Sequence, residues 1–593
     1  MDSRTAGQTS HFKPLRFEVI PDEKPGLSWT RTRPAITIQD SDGPLTIWQE
    51  GNSFIEVDAY DDRDPGDFRN VAQWNKVHEH AAEVMHYRAR RFLVALCVFG
   101  DNARFFRWDR STVIVSDSFK YKEDPAPLIE FLTCFGVYDD GYGFDDTSST
   151  KITSSLELAR AERQYQLAKK LLVYPECGDP KKDARWLGTS RKIRTPKPYR
   201  RGWEDFTTLG PAMAANTRLI GCGSRVWLAS LPSYRKYVII KDSWRDSTRW
   251  CEGDIYRRIY GKDKRVFGVA RLYHYFDVED VNSGEVIVTQ GEALNEKLKR
   301  DKYDERTLHR CILASVGIPL SRFTSTRQLL EAVRDAIIGH KNMWERGVLH
   351  RDISLHNILI SLYPKQEGGA KGFLIDPEYA VIQGEPGYDQ DVLNVCGTPM
   401  FMSIDRQPEV TSGGPHEPWH DVESFYWLLV YVLAAEGRLV IHEYRWPCTL
   451  EKDEVQPSRR FVWKHVRYIT VDEHEPLTKC MTALAKLVEQ QYWGSLDQGK
   501  QPREMGAITH EAFLDAINKA LDAEGWPEGD ASIVAKAYLH AAGVPKRPAT
   551  KRKARVEAAN APPLKRARPA PARKGVKAKS KTGGTRRTRG RTA

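Results

Sequence analysis

Val348-Leu349-His350-Arg351-Asp352-Ile353-Ser354-Leu355-His356-Asn357-Ile358-Leu359-Ile360 decides how this chain is read. An apolar pair runs into His-Arg-Asp. A carboxamide follows five residues after the carboxylate, and a second apolar run closes the stretch. Further on, Phe373-Leu374-Ile375-Asp376 reads as a short buried strand that ends in another carboxylate. Asp352, Asn357 and Asp376 are thus the first residues for which a chemical role must be sought.

Their spacing resembles the catalytic loop of protein kinases. In that loop an Asp accepts the proton of the substrate hydroxyl, and an Asn five positions on holds a magnesium ion, shared with a second Asp at the end of a later strand. The resemblance implies Asp352 as base, Asn357 and Asp376 as magnesium ligands, and His350 as structural support under the loop.

Composition bounds the rest. The chain has 593 residues, 40% of them hydrophobic, which is enough for two or three domains with sizeable cores. The net charge of +11 misleads. Lys546 to Ala593 holds 18 Lys or Arg against one acid, Glu557, which leaves residues 1–545 at about −6. The basic character therefore belongs to a tail. The 9 cysteines are scattered without Cys-x-x-Cys spacing, which suits a reducing compartment and argues against a zinc site or a disulfide framework. No apolar run follows Met1-Asp2-Ser3-Arg4, so no secretory signal is expected. The longest apolar stretches, Phe92 to Phe99 and Phe425 to Ala435, are too short to span a bilayer. No membrane partner is expected.

The pattern of apolar residues divides the chain. Residues 1–45 have little periodicity, and order is expected to begin near Leu45. Ser53 to Tyr60, Phe92 to Phe99, Arg104 to Trp108 and Val113 to Val115 read as strands. Asn70 to Arg90 and Leu156 to Leu172 read as helices, the first with Trp74, Val77, Ala81, Val84 and Met85 on one face. Residues 1–174 are thus a small α+β domain. Residues 175–202 are basic and read as a linker. Residues 203–545 begin with strand-like runs and continue as helices: Thr326 to Arg346, His420 to Ala435, Pro476 to Gln491 and His510 to Asp522. A strand-rich lobe before a helical lobe is the kinase order. The expected fold class is α+β: a two-lobed protein-kinase-like fold, preceded by the small domain and followed by a disordered basic tail over 546–593.

A kinase also needs a phosphate cradle and a lysine. Gly221-Cys222-Gly223-Ser224-Arg225-Val226, after the strand-like Arg218-Leu219-Ile220, is the candidate cradle, with Gly221, Gly223 and Val226 at the nucleotide. A Gly-x-Gly is also an ordinary tight turn, and the third glycine of the usual pattern is missing. Lys241 ends the apolar run Tyr237-Val238-Ile239-Ile240, where it fits the lysine that grips the α and β phosphates. The plain alternative is a solvated strand end. Its ion-pair partner is expected to be Glu252 on the next helix, although an acid at a helix start is often only a favourable end charge. Thr398, in Cys396-Gly397-Thr398-Pro399, is expected near Asp352 in the substrate groove. Asp421, in His420-Asp421-Val422-Glu423, would pin the catalytic-loop backbone, act as a helix N-cap, or do both.

With these motifs the chain resembles the fungal-type protein kinase family over roughly residues 50–435. The resemblance is carried by Asp335-Ala336-Ile337-Ile338-Gly339-His340-Lys341, Gly347 to Ser354, Gly397-Thr398 with Phe401-Met402, His420 to Tyr426, and Arg107-Trp108-Asp109-Arg110-Ser111. It implies ATP with Mg2+ as cofactors and phosphoryl transfer to Ser or Thr of a protein substrate. Two departures stand out. Ser354 replaces a Lys that touches the γ-phosphate in most such kinases, and Pro377-Glu378 replaces the Phe-Gly that usually follows the metal-binding Asp. These keep open a pseudokinase scaffold that binds nucleotide or a partner without transfer. Between Asp376 and Thr398 there is no Ser or Thr, so a carboxylate, with Asp391 nearest, is expected to neutralise Arg351 in place of a phosphate.

Two further expectations concern the ends of the chain. Phe54-Ile55-Glu56-Val57-Asp58 faintly resembles the acidic strand of restriction-endonuclease-like folds, but Asp58 stands where those folds need a Lys. A structural or partner-binding domain is the preferred reading. In the tail, Lys546 to Arg555 and Lys565-Arg566-Ala567-Arg568 look like nuclear import signals. They imply an import receptor as partner and the nucleus as location. The tail could also hold nucleic acid non-specifically through phosphates.

Overall fold

The computed structural model describes residues 15–536, except for 21–33, 40–50, 172–189, 291–303, 446–468, 493–505 and some shorter stretches. All described residues lie in the first of two units, Met1–Val544. The basic tail, with its expected disorder and import signals, lies outside the described residues.

The first sheet has six strands in chain order: β1 (Arg16–Val19), β2 (Ile36–Gln39), β3 (Ser53–Asp58), β4 (Leu93–Phe99), β5 (Asn102–Trp108) and β6 (Val113–Val115). Only β3 and β4 are parallel, because the helix α1 (Val71–Tyr87) crosses between them. The alternating side chains of β4 and β5 supply two cores. Phe54, Ala95, Cys97, Phe106 and Trp108 meet Val77, Ala81 and Val84 of α1 on one face. Ile38, Ile55, Leu96 and Ala103 cover the other. Order thus starts well before Leu45, since β1 and β2 extend this sheet at its edge. A helix α2 (Ala126–Val137) follows.

The second sheet has a main path of seven strands: β13 (Leu272–Asp277), β14 (Arg306–Leu313), β12 (Lys236–Asp246), β11 (Arg225–Leu231), β9 (Trp203–Thr208), β8 (Arg191–Pro196) and β7 (Thr150–Lys151). β10 (Ala214–Ala215) adds to β11. The expected linker therefore ends as strand. β8 pairs with β9 over Lys192 to Pro196 and buries Ile193 and Thr195 on alternate positions. The helix α3 (Ser155–Leu171) also belongs here rather than to the first domain. Its Ala168 joins the large core, and Ser230 of β11 donates to Gln164 Oε1 at 2.8 Å.

α4 (Glu252–Tyr260) follows β12 and is capped by the Cys251 sulfur. The helical lobe contains α5 (Thr326–Trp344), α6 (Pro418–Ala435), α7 (Glu475–Tyr492) and α8 (His510–Asp522). Ser325 and Thr509 cap α5 and α8 through their hydroxyl oxygens. Leu329, Val333 and Ile337 of α5, Phe425 and Leu429 of α6, Met481 and Leu484 of α7 and Phe513 of α8 pack as one core. Among the described residues no helix is long and apolar enough to cross a membrane.

Candidate active site

Two short strand pairings assemble the site. Val348–Leu349 pairs with Val381–Ile382, and Ile358–Ser361 pairs with Gly372–Leu374. The loop 350–357 and the segment 375–380 are therefore held against each other at both ends. Ile375 N donates to Asn357 O at 3.0 Å, and the ring of His350 shares a hydrogen with Ile375 O at 3.0 Å. His350 is buried.

Asp352 is held from two sides. Its Oδ1 accepts from the Thr398 amide and hydroxyl, both at 2.8 Å. Its Oδ2 accepts from Asn357 Nδ2 at 2.9 Å, and the same nitrogen reaches the Asp352 carbonyl. Gly397 makes the approach of Thr398 possible. Its φ is +108°, and a Cβ there would lie 2.7 Å from Arg351 O. Spending the Asn357 nitrogen on Asp352 leaves the amide oxygen for a cation.

Lys241 links the two lobes. Its Nζ lies 2.8 Å from Glu252 Oε2 and 2.6 Å from Asp376 Oδ1, with Glu378 Oε2 at 3.8 Å. Burial opposes its charge, but Asp376, Glu252 and Glu378 together hold its pKa well above the ordinary lysine value. Burial raises the carboxyl groups of Glu252 and Glu378, and the neighbouring Asp376 carboxylate adds to the rise while Lys241 opposes it. Asp376 adopts a left-handed backbone, φ +60° and ψ +61°, a costly conformation for a non-glycine residue outside special sites. Pro377 then starts a single 3-10 turn, and Glu378 is aimed back at Lys241.

Asp421 does not cap its helix. Glu417 does so, in a capping box with His420. Asp421 Oδ2 instead accepts from the Arg351 amide at 2.8 Å and contacts His340 Nε2 at 2.9 Å, while Oδ1 contacts His416 Nε2 at 2.7 Å. Burial would raise its carboxyl, but His416 and His340 hold it well below the usual carboxylate range. Arg351 itself has φ +69°. Its guanidinium donates to Asn394 O at 2.9 Å, and Nε and Nη1 have no hydrogen-bond partner among the described residues. Asp391 does not supply the expected counter-charge. Its Oδ1 accepts from Asn394 Nδ2 at 3.4 Å.

The candidate cradle is only partly as expected. Val226 stands opposite Lys241 in the β11–β12 ladder. Gly221 and Gly223 both have positive φ, +123° and +47°. Arg218 to Ile220, expected as a strand, form none. Sequence reasoning missed Glu378 as a neighbour of Lys241, although an acid in the Gly position was its signal. It also missed Glu423. That buried carboxylate accepts from Ile404 N, Trp427 Nε1 and the Tyr492 hydroxyl, and so anchors the segment after Thr398. Ser354, in the Lys position, is buried. In the first domain, Glu56 is ion-paired to Lys76 and Asp58 to Arg63.

The family model described as fungal protein kinase matches residues 52–433. The chain belongs to this family. The match takes in the six-stranded sheet from β3 onward, the strand-rich lobe, and the helical lobe into α6, and α7 and α8 lie beyond it. Among solved structures, this family member is similar to the Cydia pomonella granulovirus kinase PK-1. Identity is 11%, with 57% of this chain and 97% of that one covered and a TM-score of 0.33. It is also similar to vaccinia related kinase 3, at 9% identity, with 56% and 94% covered and a TM-score of 0.31. No curated protein matches the sequence.

Proposed function

We propose that this protein kinase family member uses ATP and Mg2+ to phosphorylate Ser or Thr in protein substrates. One observation carries the reading: Asp352 is oriented by Thr398 and Asn357 while Asp376 and Lys241 meet beside it. The donor set fits magnesium nucleotide. The Asn357 amide oxygen and the Asp376 carboxylate are hard oxygen ligands of the kind Mg2+ takes, and Lys241 would grip the α and β phosphates. Bound magnesium would neutralise charge on the phosphate oxygens.

The residues of the chain do the remainder. Asp352 Oδ2 accepts one hydrogen bond, from Asn357, and a carboxylate oxygen has room for a second. That free position takes the proton of the attacking hydroxyl. Thr398, fixed on Oδ1, keeps the carboxylate from turning and walls the substrate side. Asp421 holds the loop backbone through Arg351 N.

The Ser/Thr preference is tested by mapping phosphosites on a mixed peptide pool. Sites on Ser and Thr are expected, and modification confined to Tyr would contradict it. The alternative, a scaffold without transfer, draws on the buried Ser354 and on Glu378 at Lys241. The tail supports a nuclear location and an import receptor as partner, and non-specific contact with nucleic acid is a second use of the same charge. A fluorescent fusion lacking 546–593 is expected to leave the nucleus. Unchanged nuclear signal would contradict the import role.

A further inference from the structure

The turn after β5 is closed by hydrogen bonds to Asp109. Trp108 is fully buried, Asp109 Oδ1 accepts from the amides of Ser111 and Thr112, and Asp109 N donates to Thr112 O. Arg110 therefore leaves the first sheet from a fixed point. Its side chain is 4% exposed and runs to the second sheet. Nη1 donates to Arg218 O at 2.9 Å and Leu219 O at 3.2 Å, and Nη2 donates to Met85 O at 3.3 Å, near the C-terminal end of α1. The Arg110 carbonyl accepts from Gly221 N at 2.9 Å. Gly223 packs closely on the Arg110 side chain, and a Cβ there would fall 2.6–2.9 Å from Nε, Cζ and Cδ. Leu219 packs on the core of the first sheet. On the other side, Cys222 O accepts from Trp244 N of β12 at 2.7 Å, three residues beyond Lys241. Arg225 repeats the link by donating to His86 O at 2.8 Å.

We propose that Arg110 is a positioning residue for the loop Gly221-Cys222-Gly223, and that the N-terminal domain thereby presets this loop for nucleotide phosphates. The inference rests on the proposed ATP-dependent activity. A glycine loop held on one side only would have to be ordered by the ligand, at a cost in affinity. Here one guanidinium ties carbonyls from two elements on the N-terminal side, and a ladder bond from β12 fixes the other. Ordering is thus built in, and it depends on a domain that holds none of the groups assigned to phosphoryl transfer.

The test uses full-length protein carrying Arg110→Ala, Arg110→Lys or Gly223→Ala. Amide hydrogen exchange over 218–224 and the KM and kcat for ATP are measured on each. Arg110→Ala is expected to speed exchange of that segment at least tenfold. It should raise the KM for ATP 5- to 20-fold, with kcat within threefold of wild type. Arg110→Lys should restore part of both effects, since an ammonium cannot span three carbonyls. Thermal melting is read first because Arg110 is buried. If Arg110→Ala does not fold, Arg110→Lys carries the KM test, and Gly223→Ala tests the same contact from the loop side through exchange alone, which should be faster. Unchanged exchange in the folded variants, or faster exchange with unchanged KM, overturns the proposal. Wild-type protein that neither binds nor turns over ATP overturns the kinase reading instead. Exchange then still decides whether Arg110 anchors the loop.

Discussion

Lys241 of the strand lobe and Asp376 of the helical lobe are in direct contact, 2.6 Å from Nζ to Oδ1. Glu252 completes the buried pair from α4 at 2.8 Å. One side chain therefore joins a strand, a helix and the segment after the catalytic loop. Lys241→Met would leave Glu252 buried without its counter-ion and Asp376 without its partner. The expected cost is about 2–4 kcal/mol of stability, discounted for the partial exposure of Asp376. Magnesium-dependent ATP binding should weaken at least tenfold. Thermal melting with and without Mg-ATP checks both. A variant that melts and binds like wild type would contradict this account of the site.

The contact was half legible in the sequence. Lys241, Glu252 and Asp376 could be assigned because a lysine at a strand end, an acid on the next helix and an acid after a short apolar run occupy spacings that kinase chemistry fixes. Glu378 was noticed only as a misfit, since its approach to Lys241 depends on the left-handed backbone of Asp376. The apolar helices were legible from their period. β8 was not, because Ile193 is the single apolar side chain in a run of basic residues and only its partner β9 makes it a strand. The grip of Arg110 on the glycine loop joins residues more than a hundred positions apart, and nothing local in the sequence marks it.

Glu385, Asp389 and Asp391, which lie between Asp376 and Thr398, make no ion pair with Arg351, whose hydrogen bond goes to Asn394 O. Asp389→Asn together with Asp391→Asn should therefore change activity less than twofold. Phosphoryl transfer by the double variant is the measurement. A tenfold loss would restore the idea that one of these carboxylates stands in for a phosphate.

His510 contacts His340 Nδ1 at 2.8 Å, and burial lowers its pKa from 6.5 to about 3. It is therefore neutral in the fold but titrates near 6.5 when unfolded. Its contribution to stability is fully present above 6.5 and is lost as pH falls from 6.5 toward 3. Each pH unit in that window costs about 1.4 kcal/mol. Between pH 7 and pH 5 the stability advantage of wild type over His510→Gln should shrink by about 2 kcal/mol. Urea unfolding of both proteins at the two pH values checks this. A pH-independent difference would contradict it.

We propose Asp352, held by Thr398 and Asn357, as the base of a working phosphoryl-transfer site. The most direct test is magnesium-dependent phosphate transfer from ATP by the purified full-length protein, beside Asp352→Asn. Wild type should transfer phosphate to a protein acceptor. The variant should bind Mg-ATP with unchanged affinity yet lose about 100-fold or more in rate, the range a positioned base supplies. Transfer that persists in Asp352→Asn, or ATP binding by wild type with no transfer at all, would contradict the claim.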